Sequence, residues 1–148
     1  MTTQERLAQE IKAAMLAKDA DRLNALRMLK SAVGYAQIER KTDNLSDADF
    51  VAVVQKEVKK RRDSVEQFEK GGRPELAEKE KQEIATLEIF LPKALTPEEL
   101  EQLVKAVIQE TGASSKKDMG TVMKTAQAKV AGRADGKSIS TLVGKLLP

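Results

Sequence analysis

Apolar residues recur along this chain at steps of three and four, the period of an α-helix face, and nowhere alternate with polar residues as a half-buried strand requires. Leu7, Ile11, Ala14 and Met15 predict a short amphipathic helix ending near Asp19, and Leu23, Leu26, Leu29, Val33 and Ala36 a second one, capped by Asp21 and running to about Lys41. After Thr42-Asp43-Asn44, Ser46 followed three residues later by Asp49 predicts the start of a long helix reaching about Lys70. Phe50, Val54, Val58, Arg61, Val65 and Phe68 form its inner face. Gly71-Gly72-Arg73-Pro74 pairs glycines that end a helix with a proline suited to its first turn, so a fourth helix begins at Pro74 with the stripe Leu76, Glu80, Ile84, Leu87 and Leu91.

Two prolines within Leu91-Pro92-Lys93-Ala94-Leu95-Thr96-Pro97 stop one helix and open another, which predicts a boundary between an N-terminal helical domain over 1–93 and a small domain over 96–148. Thr96-Pro97-Glu98-Glu99 is a capping box for a helix carrying Leu100, Leu103, Val104, Val107 and Ile108 and closed by Gly112. A helix starting at Ser115 or Asp118 carries Met119, Val122, Met123, Ala126 and Val130 and stops at Gly132, and a last one capped by Ser138 carries Ile139, Leu142, Val143 and Leu146. The expected fold is all-α: an N-terminal helical bundle built around a long hairpin, followed by a small C-terminal three-helix domain.

Composition narrows the chemistry. The 148 residues include no cysteine and no histidine, which removes thiolate nucleophiles, imidazole bases, disulfides and the common zinc ligand sets. Carboxylates are abundant but interleaved with lysines, as in Glu75, Glu78, Lys79, Glu80 and Lys81, the pattern of a solvated helix face. No catalytic residue, metal site or cofactor is expected. No run of apolar residues is long enough to cross a membrane and the N-terminus lacks an apolar leader core, so the expected location is the cytoplasm, with no membrane partner.

A net charge of +3 says little until its distribution is examined. Residues 1–95 carry 18 basic and 17 acidic side chains, and residues 96–110 one against four. Residues 111–148 carry seven against two. In that last stretch Lys116, Lys117, Lys124, Lys129, Arg133 and Lys137 surround two helix starts and a loop bounded by Gly132 and Gly136, where cations, amides and helix dipoles suit phosphate. Secondary candidates are Lys59, Lys60 and Arg62 on the long helix and Arg73 beside the glycine pair, each also explained as ordinary surface or turn chemistry. No aromatic side chain lies among the C-terminal cations, so base stacking by Phe or Tyr is unavailable and the expected ligand is structured RNA read by shape and phosphates.

Lys117-Asp118-Met119-Gly120-Thr121-Val122-Met123 and Gly132-Arg133-Ala134-Asp135-Gly136, with Leu26-Arg27-Met28-Leu29, Glu57-Val58-Lys59-Lys60-Arg61, Gly71-Gly72-Arg73 and Leu91-Pro92, resemble the YqeY family of GatB/YqeY-domain proteins over the whole chain. That family is similar to the C-terminal region of the B subunit of tRNA-dependent amidotransferases and to helical modules on some glutaminyl-tRNA synthetases. The resemblance implies a tRNA-associated helical module whose C-terminal domain, with Lys117, Gly120, Arg133, Asp135 and Gly136, contacts tRNA. Two other readings follow: a protein-interaction module that docks on an amidotransferase or aminoacyl-tRNA synthetase, and, last, a part in glutamine-dependent amide transfer by association with other subunits.

Overall fold

The computed structural model describes all 148 residues and contains seven α-helices and no strand. It divides into two compact units, Met1–Leu91 and Pro92–Pro148.

The first unit holds α1 (Thr3–Leu16), α2 (Ala20–Arg40), α3 (Asp47–Lys70) and α4 (Pro74–Glu88). Helix α1 opens with a reciprocal capping box, in which Thr2 Oγ1 accepts from the Glu5 amide at 3.1 Å and the Glu5 carboxylate accepts from the Thr2 amide at 3.0 Å. Asp19, rather than the expected Asp21, caps α2 by accepting from the Arg22 amide at 3.1 Å. The helix starts early because Lys18 takes a left-handed conformation, φ 55°, that turns the chain sharply after α1. Ser46 caps α3 through the Asp49 amide, as its spacing requires.

Helix α3 ends in a Schellman turn: the Arg73 amide donates to the Phe68 carbonyl at 2.8 Å while Gly72 sits at φ 71°. Proline 74 then starts α4, so the chain reverses and α3 and α4 pack as a hairpin. Helix α4 stops at Glu88, three residues short of the end of its apolar stripe: the Phe90 and Leu91 amides tighten onto the Leu87 and Glu88 carbonyls at 3.1 and 3.0 Å, and Pro92 disfavours helical geometry in Leu91. Leu26, Leu29, Phe50, Val54 and Leu87 are fully buried in the core of this unit, where the Phe50 and Phe90 rings meet edge to face with centroids 5.9 Å apart.

The second unit holds α5 (Pro97–Thr111), a 3-10 turn (Lys116–Asp118) that runs into α6 (Met119–Val130), and α7 (Gly136–Leu146). Thr96 caps α5 through the Glu99 amide at 3.1 Å, and Gly112 closes it at φ 68°. The cap of α7 is Asp135, which accepts from the Ser138 amide at 2.6 Å. Gly136 and Lys137 are therefore the first helical residues of α7, and Ser138, the expected cap, lies inside it. Val104, Val107, Val122, Val130, Ile139 and Val143 form the core shared by the three helices.

Candidate nucleic-acid interface

The C-terminal cations occupy two different environments. Lys117 on the 3-10 turn, then Gly120 and Lys124 on α6, follow one another at steps of three and four and are all exposed. Because the turn leads directly into α6, this spacing puts them on one face. Gln127 continues the row, and its side chain lies where a Cβ at Gly136 would meet it at 3.8 Å. The exposed face of α6 therefore leads to the first turn of α7 and to the exposed Lys137. From Lys117 to Gln127 the row runs for about 15 Å at the helical rise of 1.5 Å per residue. At Gly120 a Cβ would meet nothing within 4 Å, so backbone is open to approach midway between Lys117 and Lys124. Lys116 is exposed on the same turn.

Lys129 and Arg133 are engaged elsewhere. Lys129 forms an ion pair with Glu110 of α5. Arg133 donates through Nε to the Lys93 carbonyl at 2.9 Å, and its Nη2 lies 3.8 Å from the Glu99 carboxylate. The Arg133 carbonyl accepts from the Leu95 amide at 2.8 Å, so the segment between α6 and α7 is tied to the one preceding α5. The acidic residues that make 96–110 electronegative thus face two of the seven cations of 111–148.

Helix N-termini contribute less than their sequence suggests. Asp135, a candidate contact, uses its carboxylate as the N-cap of α7. Asp118 folds its carboxylate back on the amides of Ser114 and Ser115, at 3.0 and 3.3 Å. Each helix start already carries an anion of its own, so phosphate attraction in this unit rests on exposed lysines rather than on free amides.

The secondary candidates lie in the first unit. Lys59 and Lys60 are exposed on α3, with Lys60 3.4 Å from Glu57, and Arg62 is exposed beside them. Arg73 directs its Nε toward Glu75 at 3.4 Å. Arg61, between Lys60 and Arg62, turns inward and is only 5% exposed. No group of three or more acidic side chains is placed to hold a metal ion, and no helix is long and apolar enough to cross a membrane.

An all-α chain with a basic helical face on its second unit is the class these features define. The family model described as Yqey-like protein matches residues 4–147. The chain belongs to the YqeY family. It is 38% identical over 78 residues to an uncharacterized protein of Schizosaccharomyces pombe, which spans 53% of this chain and 63% of that one. It is 37% identical over 84 residues, 57% of this chain and 45% of the relative, to altered inheritance of mitochondria protein 41, mitochondrial, of Kluyveromyces lactis. The protein of the same name from Pyrenophora tritici-repentis is 26% identical over 96% of this chain and 79% of its own length. The matches to the first two relatives thus cover less than two thirds of either relative's length.

Proposed function

We propose that this protein is an RNA-binding accessory module that holds structured RNA, tRNA in the first place, by its phosphates along the α6 face. One observation carries the reading: Lys117, Gly120, Lys124 and Lys137 form an exposed basic row with an opening to backbone at its middle. A row of lysines recognises phosphate as point charges and carries no base readout, which suits a module that grips a folded RNA rather than a sequence. Amide transfer is not part of the proposal, since the sequence offers no cysteine, no phosphate-binding P-loop and no Ser/Lys nucleophile constellation to activate glutamine. The proposed compartment is the cytoplasm. The name of the Kluyveromyces and Pyrenophora relatives says mitochondrial, and an RNA-holding module would serve translation in either place.

The test is direct binding of labelled tRNA to the purified chain, with a DNA duplex of equal length as competitor. Retention of tRNA against excess DNA supports recognition of folded RNA. Equal competition by DNA reduces the reading to nonspecific polyanion binding. A second reading, a module that docks on a protein, is favoured by an uncharged exposed face of α2 in the first unit.

A further inference from the structure

Arg61 is the most buried cation of the chain, and its hydrogen bonding is incomplete. Nη1 donates to the Glu57 carbonyl at 3.0 Å and faces the Glu57 carboxylate at 3.4 Å. Nη2 meets only the Met28 sulfur, at 3.7 Å, and Nε has no partner. Nε and Nη2 together make the side-on fork of a guanidinium, which fits the two oxygens of a carboxylate. Here the Nη2 arm of that fork is met by a thioether, a weak acceptor, on a methionine that is 53% exposed and whose unbranched side chain has three rotatable bonds.

Arg61 is among the residues lining a groove of about 700 Å³ between α2, α3 and α4, with its Nε closed off from solvent beneath the surface. The α2 wall of that groove carries an unusual face. Asn24, Met28, Ser31, Tyr35 and Ile38, spaced four, three, four and three apart, are all exposed and none is charged, in a chain that is 33% charged. Tyr35 and Ile38 are 75% and 76% exposed. Met28 to Ile38 covers about 15 Å, or three helical turns. A second, shallower groove, lined by Gly34, Gln37 and Thr42, borders the same face, so Tyr35 stands on a ridge between two grooves. A packed helix needs that relief.

We propose that this face receives an amphipathic helix of a partner protein, which lays apolar side chains against Met28, Tyr35 and Ile38 and sets one Asp or Glu carboxylate on the Arg61 fork after Met28 swings aside. The complementary charge is local and directional: the groove as a whole is lined by Glu39, Asp49, Glu57, Glu80 and Glu83 against four cations, so it offers no excess of positive charge to a polyanion such as RNA, while the buried fork still accepts a single carboxylate. This inference is independent of RNA binding by the second unit.

The probe is a library of helix-biased 16-residue peptides displayed for selection on the full-length chain, followed by fluorescence anisotropy of the winning sequence. The expected winner carries one carboxylate amid apolar residues at three- and four-residue spacing. Tyr35→Asp, at an exposed position that leaves folding intact, weakens it at least tenfold. Replacing the peptide carboxylate by its amide weakens binding about tenfold on the wild-type chain but not on Arg61→Gln. Winners with no carboxylate preference, or unaffected by Tyr35→Asp, overturn the proposal. So does competition for the same face by tRNA, or a concentration-dependent dimer abolished by Tyr35→Asp, which would make the occupant a second copy.

Discussion

Two acids on α5 hold two of the C-terminal cations, and removing them gives a sharp test of the basic face. In the double variant Glu99→Gln, Glu110→Gln, Arg133 loses the carboxylate 3.8 Å from its Nη2 and Lys129 loses its ion-pair partner. All four side chains are between 41% and 55% exposed, so each pair contributes roughly 0.2–1 kcal/mol. RNA phosphates must compete with that attraction. Taking about 0.7 kcal/mol per pair, the double variant should bind tRNA about tenfold more tightly at fixed low salt. If the freed cations then reach phosphate, the slope of log K against log salt steepens by about 1.4–1.8. Fluorescence titration between 50 and 200 mM salt reads both quantities. Glu101→Gln is the control, because it removes a carboxylate from the same helix while disturbing only Lys105, 3.2 Å away. An unchanged affinity in the double variant, or a gain matched by Glu101→Gln, would refute the idea that these pairs restrain the basic face.

Three further outcomes concern the first unit. Phe50→Ala, at a fully buried ring packed on Phe90, should cost about 3–5 kcal/mol in urea unfolding, with the loss confined to the transition of this unit. Gly72→Ala places a side chain at φ 71° with open space around its Cβ, so the cost of about 1–2 kcal/mol is purely backbone strain, and a smaller loss would show that the turn relaxes. Burial, and next the neighbouring Glu80, push the Glu83 carboxyl above its ordinary 4.5, although Arg61 and Lys79 oppose the shift. An acid that binds its proton more tightly when folded makes stability fall as pH rises from 4.5 through the raised value. Glu83→Gln should lessen that fall and stabilise the protein at pH 7, and thermal melts at pH 4 to 7 check it.

Much of the fold is legible because its punctuation is strong. Ser46 accepts from the Asp49 amide and Thr96 from the Glu99 amide, Pro74 after the glycine pair brings no amide that needs a partner, and each marks the observed helix start. Where two cap-forming residues stand close together, local chemistry does not choose. Asp19 rather than Asp21, and Asp135 rather than Ser138, are decided by the turns before them, in which Lys18 and Ala131 take left-handed conformations that residue type does not announce. Charge behaves the same way in the candidate site. The excess of lysines is visible in the sequence, but the capture of Lys129 by Glu110 and of Arg133 by Glu99 depends on how α5 packs against α6 and α7. The half-satisfied guanidinium of Arg61 was equally hidden: its period placed it on the inner face, and only the packing of α2 against α3 shows that a thioether meets the Nη2 arm of its fork.

RNA binding along α6 is tested most directly by titrating tRNA with the wild-type chain and with the triple variant Lys117→Ala, Lys124→Ala, Lys137→Ala at several salt concentrations. All three lysines are exposed, so far-ultraviolet circular dichroism should be unchanged by the substitutions. If each contacts one phosphate, the triple variant binds more weakly and its salt slope is shallower by roughly 2–3. Superimposable curves for the two proteins, or no measurable tRNA binding by the wild-type chain at 50 mM salt, would contradict the proposed function.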